Sequence, residues 1–455
     1  MSRIVATSFA FALLAFGAAD AVAQDIRQDT PKHLSDVRTA AEQGDADAQF
    51  ELGRMYDEVL GGALRDNAEA AKWYRMAAVQ GHASAQTLLG GMYQWGRGVS
   101  KDAVESAKWY RKAAEQGEPL AEFDLGYEYF HGEGVPQDYA EAASWFRKAA
   151  EQGDGLAQSF LGDLYSGGKG VPQDHAEALR WYHMAAGQGE ARGEFGLGSA
   201  YYKGKGVPQD YKEAAKWYRK AAEQGDQYGM AFMGMLYERG QGVPQDYAEA
   251  ARWYRKAADK GDANAQISLG FMYEKGQGVA QDYSEAARWF RKAADQGDAD
   301  AYFNLGDIYD KGKGVPQDYA EAVRWFRKAA DQGNATAQFA QFRLGVIYDQ
   351  GPGVQDYAEA ARWYRKAADK GHAGAQFCLG FMYEDGKGVP QDYAEAHMWM
   401  NLAASRASGD DQKKFAQWRE SIAKKMTPQQ IAEAQRMARE WKPKSGENKV
   451  GEPVK

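Results

Sequence analysis

Ten tryptophans constrain this chain more than any other feature: Trp73, Trp109, Trp145, Trp181, Trp217, Trp253, Trp289, Trp325, Trp363 and Trp399. Successive ones stand 36 residues apart, except for the 38 between Trp325 and Trp363. A fixed period in this range marks stacked supersecondary units, each too small to bury its own apolar face and so dependent on its neighbours. The 455 residues are therefore expected to form a lengthwise array rather than the separate globular domains that length alone suggests.

Each period carries the punctuation of a helical hairpin. In the third, "AEFDLGYEYFHGEGVPQDYAEAASWFRKAAEQG", Ala121, Leu125 and Tyr129 recur at helical spacing beside Gly126 and predict a short amphipathic helix. Gly132 and Gly134 turn the chain, and Val135-Pro136 keeps it extended. Asp138 opens a second helix with Glu141 three residues on, the spacing of a capping box. All ten units keep this acidic pair, from Asp66 and Glu69 to Asp392 and Glu395, and ten copies at helix starts argue for capping over catalysis. The second helix is expected to bury Tyr139, Ala142, Ala143, Phe146, Ala149 and Ala150, with Trp145 filling the space between units. Arg147 and Glu151, four apart, are expected to form a weak outer pair before Gly153 ends the helix.

The motifs "A-x-x-x-L-G-x-x-Y", "G-x-G-V-P-Q-D-Y-x-E-A" and "W-Y-R-K-A-A-E-Q-G" together resemble the Sel-one-like repeat family, a relative of the tetratricopeptide repeats with a slightly longer unit. The resemblance covers ten units over residues 45–404. It implies an all-α fold, a right-handed superhelical solenoid of about ten helix pairs, and a non-catalytic role as scaffold or adaptor, often at membranes, envelopes or host contacts. The tetratricopeptide repeat proper has too short a period for the observed spacing.

The ends carry their own signals. Residues 1–23 read as an export signal: Arg3, the apolar run "IVATSFAFALLAFGAA", then Ala21-Val22-Ala23 before Gln24. Residues 24–44 form a half-repeat cap, with Asp36 where tryptophan is expected. Residues 405–441 read as a helical cap bearing Phe415, Trp418 and Ile422, then a helix from Thr427-Pro428 with Ile431, Ala434, Ala438 and Trp441. That segment also resembles a common closing segment of the family. Residues 442–455 read as a disordered tail. A periplasmic or secreted address follows from the signal, and no later segment is long and apolar enough to span a bilayer. In the ninth unit a tandem "AQFAQF" adds three residues, which either lengthen the first helix or bend the array.

Little in the sequence spells chemistry. A net charge of −8 offers no attraction to phosphate backbones, so nucleic acid is not an expected partner. Cys378 is the only cysteine, which rules out an internal disulfide. None of the seven histidines stands at a metal-ligand spacing, His175 reads as a packing substitute for tyrosine, and neither cofactor nor metal is expected. Ser421 and Lys424 match S-x-x-K, the nucleophile motif of penicillin-recognising enzymes, but its companion motifs are missing. Such a cell-wall enzyme is the competing class. A peptidoglycan or carbohydrate binder using exposed aromatics such as Trp95 is the third.

The clue to function is variation among the copies. Three first-helix positions at i, i+4 and i+7 share a face and differ most. They begin as Asp47, Glu51 and Arg54, become Leu156, Phe160 and Asp163, then Tyr228, Phe232 and Met235. Ser268 with Phe271, and Cys378 with Phe381, follow. In related solenoids first helices line the concave side, so Tyr228, Phe232, Met235, Phe271 and Phe381 are the candidate groove for a protein partner. The alternative is that these side chains fill gaps between units.

Overall fold

The computed structural model describes residues 30–58 and 65–444. The expected export signal, part of the first repeat's loop and most of the expected tail lie outside them. Within them the chain forms 23 α-helices of 12–16 residues and no strand. The helices come in pairs, such as Pro119–His131 with Tyr139–Glu151 and Gly155–Gly167 with His175–Gly187. The chain is an all-α repeat solenoid of about ten helix pairs. It divides into two compact units, the first ending at Gly229 and the second beginning at Met230.

Local chemistry sets each pair. The Asp138 carboxylate accepts from the backbone N–H groups of Ala140 and Glu141 at 2.8 and 3.1 Å. The equivalent aspartate caps the second helix of every repeat. The reverse half of the expected capping box has a different owner. The N–H of Asp138 donates to the Tyr129 carbonyl at 2.9 Å, closing the loop between the paired helices. Freed from that duty, the glutamate pairs forward along its helix in several repeats, as in Glu105–Lys108, Glu249–Arg252 and Glu321–Arg324.

Two glycines answer to close approach. A Cβ on Gly134 would lie 2.0 Å from the Ala103 carbonyl oxygen, because the loop runs against the preceding repeat's second helix. A Cβ on Gly126 would lie 2.8 Å from the Phe146 ring, which therefore packs directly on its partner helix.

In the first unit, helix Thr30–Glu42 sets Leu34, Val37 and Ala41 against Leu52, Met55 and Trp73. Trp109 joins a cluster with Ala70, Ala77 and Leu89, and Trp145 and Trp181 join one running from Tyr110 to Leu164. Each tryptophan thus closes a layer that includes the preceding repeat. Trp217 is the exception in degree: it is half-buried, whereas the other nine are buried. The expected Arg147–Glu151 pair is replaced by a longer reach, with Arg147 donating to the Tyr165 hydroxyl of the next repeat. Arg75, Arg111, Arg255 and Arg365 do likewise to Tyr93, Tyr129, Tyr273 and Tyr383. A part-buried hydroxyl held by a neighbouring helix is a better-ordered partner than an exposed carboxylate four residues on.

In the second unit, the tandem in the ninth repeat lengthens its first helix, Ala335–Gln350, to 16 residues. Helices Gly409–Ala423 and Pro428–Glu440 close the array. Phe415 stacks on Phe377 at 4.1 Å, Ile422 is fully buried, and Trp441 meets Trp399 at 6.2 Å. Thr427 and Gln430 form a complete capping box.

Candidate functional site

The variable first-helix positions do different work in different repeats. In the first unit, Phe160 is 2% exposed and packed among Phe123, Tyr127, Phe130 and Phe146, with ring centroids 5.1–5.8 Å away. Arg192 of the next repeat lies over it at 3.9 Å and donates from Nε to Asp163 at 2.8 Å. This copy of the stripe is a joint between repeats. Tyr228, by contrast, is 52% exposed, with its ring 5.9 Å from Phe195.

The second unit holds the other four candidates, all half-buried: Phe232, Met235, Phe271 and Phe381. Phe271 presents an edge to Phe290 at 5.2 Å. Phe381 meets Phe377 and Trp418, each at 4.7 Å, so the C-terminal cap lies against it. Cys378 is half-buried, and burial pushes its thiol up to about 11, which disfavours the reactive thiolate.

Sequence comparison missed Phe339. The three-residue insertion hides that it occupies the register position of Tyr228, and it is 53% exposed. The same position holds Asp47, whose side chain is 93% exposed, in the first repeat. Shifting the alignment to the Leu344-Gly345 pair would have revealed it.

A buried polar pair was also missed. Ser106 donates to Glu128 at 2.8 Å, and both residues are buried. Elsewhere Ala142, Ala178 and Ala214 occupy the serine position, and Met92, Leu164 and Met272 the glutamate position. Burial pushes the Glu128 carboxyl up to about 8 and that of Asp124, one turn earlier, to about 7. A second polar enclosure, a cavity of about 40 Å³, lies where the fourth repeat meets the fifth, and its wall includes His175.

The other classes find less to build on. Lys424 is exposed, and no hydrogen bond joins it to Ser421 among the described residues. Within the same residues no group of three histidine, cysteine or acidic side chains could hold a metal, and no helix is long and apolar enough to cross a membrane. Trp95 is 44% exposed at the end of its helix.

The Sel1 repeat family model matches ten consecutive segments, beginning at residues 46–82 and ending at residues 373–408. Among solved structures, the chain is similar to c5321, described as a protective antigen present in uropathogenic Escherichia coli strains displaying an SLR fold. The two are 36% identical, the match covers 91% of this chain and 95% of that one, and the TM-score is 0.55. A Sel1 repeat protein from Oxalobacter formigenes is 39% identical over 67% of this chain and 87% of that one, with a TM-score of 0.51. No curated protein matches the chain. Sel1-repeat proteins are typically protein-interaction scaffolds and are generally not enzymes. With ten matched repeats and a relative of this identity along nearly its whole length, the chain belongs to the Sel1 repeat family.

Proposed function

We propose that this protein is a non-catalytic, protein-binding scaffold of the bacterial envelope or exterior. The observation that carries the proposal is one register position, six residues before the glycine within each repeat's first helix. It is solvent-facing at Asp47, yet carries half-exposed aromatic rings at Tyr228 and Phe339. Packing does not demand a ring there, since other repeats place Arg192, Asn264 or Asp300 at the same point. Tyrosine and phenylalanine are the side chains that anchor protein interfaces. The envelope address rests on the sequence of residues 1–23, and the likeness to a protein described as a protective antigen is in keeping with it.

Site-specific photo-crosslinking in cells, with the reactive group at Tyr228 in one strain and at Phe339 in another, tests this. A discrete envelope or extracellular protein should be trapped from each, and a control group at exposed Lys216 should trap none. Crosslinks no richer than the control would remove the reading. N-terminal sequencing of the mature protein checks the address and should start near Gln24.

A further inference from the structure

We propose that the joint between the fourth and fifth repeats is a binding site for a carboxylate group. The first helix of the fifth repeat, Ala191–Lys203, is cut back where its counterparts are bulky. Ala200 stands where Met92, Leu164, Leu236, Met272, Ile308 and Met382 stand elsewhere. Ser199 replaces Tyr127 or Phe271, and across the joint Ser166 replaces Phe130. Leu179, an alanine in most repeats, refills only part of the space, and a cavity of about 40 Å³ remains.

Its wall is not that of a dry void. Besides Ala178, Leu179, Gly196 and Ala200 it is formed by Ser166, His175, Tyr182, Ser199, Lys203 and Lys205. His175 Nδ1 is buried and has no hydrogen-bond partner. The Tyr182 hydroxyl is committed to Asp163 at 2.7 Å, and that carboxylate is neutralised by Arg192, so no uncompensated acid faces the space. The lysines are free to act. In other repeats the counterpart of Lys205 lies over a tyrosine ring, as Lys169 does over Tyr139 and Lys313 over Tyr283. Here that tyrosine is His175, and among the described residues neither Lys203 nor Lys205 makes an ion pair or ring contact.

Size selects the ligand. A water needs about 10–15 Å³ of such space, so the cavity holds roughly three water-sized atoms. A carboxylate places three heavy atoms there with its substituent toward the open side, whereas phosphate and sulfate present five. The two lysines supply charge-assisted donors, and the Ser166 and Ser199 hydroxyls, which neighbour Tyr182 and Tyr218, can add others. The carboxylate belongs either to a small free acid or to the terminus or acidic side chain of a protein. The site stands independently of the scaffold reading.

The test uses the full chain in calorimetric titration and thermal melts at constant ionic strength, with acetate, sulfate, and one tripeptide bearing either a free or an amidated C-terminus. Acetate should bind and raise the melting temperature, and sulfate should not. Ala200→Met, which restores the side chain found at Met92 and Met272, should raise the unliganded melting temperature and abolish the acetate response. Lys203→Ala with Lys205→Ala should melt as the parent does and weaken acetate about tenfold. Tighter binding of the free-ended tripeptide than of acetate assigns the site to a protein partner, and the reverse order to a free acid. Should Ala200→Met fail to fold, the lysine variant still decides. Acetate binding unchanged in that variant, sulfate binding as tight as acetate, or no carboxylate response at all would each overturn the proposal.

Discussion

The joints on either side of the fourth repeat share a backbone plan and differ in what fills them. Between the third and fourth repeats, Phe130, Phe146 and Phe160 close on one another, and Lys169 covers Tyr139. Between the fourth and fifth, the same positions hold Ser166, Tyr182 and Gly196, with Lys205 and His175 in place of Lys169 and Tyr139. The Tyr182 ring leans over Gly196, where a Cβ would come within 2.5 Å of it, and a polar cavity opens beside it. The period therefore determines that a joint exists and leaves its contents to individual residues. A solenoid can vary a joint this way because stability is coupled mainly between neighbours.

Breaking the closed joint should have the largest effect. Phe160→Ala removes the ring at the centre of four others and is expected to cost about 3–5 kcal/mol, read as a fall in the urea midpoint. An unchanged midpoint would mean that the joint is not held by its aromatics. Trp217→Ala, at the half-buried tryptophan, should cost less, about 2 kcal/mol, because less apolar surface returns to water. A loss equal to that of Trp145→Ala would show that exposure does not rank these positions.

A smaller effect sharpens a third joint, between the second and third repeats, where Glu128 and Asp124 sit. Folding raises both carboxyls, Glu128 to about 8 and Asp124 to about 7, so the folded state holds protons that the unfolded chain releases near its ordinary carboxylate range. The contribution of these two groups to stability should then be fully present below about pH 4 and be lost as pH rises through about 8. Glu128→Met, copying Met92, should remove about half of that loss and leave the share of Asp124. A urea midpoint that rises with pH over this window would contradict the burial argument. The smallest change is expected at Tyr228→Ser, within about 0.5 kcal/mol, since the ring is half-exposed. A marked loss of stability there would make Tyr228 a packing residue like Phe160.

The period, both helices of each repeat and the aspartate caps were legible in the chain itself, because each rests on contacts made within one repeat, and the glycine turn was legible because its positive φ angles are a local demand. Asp138 caps a helix two and three residues away, and Leu125 and Tyr129 lie one turn apart. What lies across a joint was not legible. Arg147 takes Tyr165 rather than Glu151, and Phe160 is sealed beneath Arg192 while Tyr228 stays in solvent. Ser106 and Glu128 are one buried pair, and His175, which reads as a packing substitute for tyrosine, lines a cavity. In each case the deciding neighbour stands 18–33 residues away on another helix. A repeat's own sequence can place a side chain on a face, but only the stacked helices decide whether that face meets a ring, an ion, a void or water.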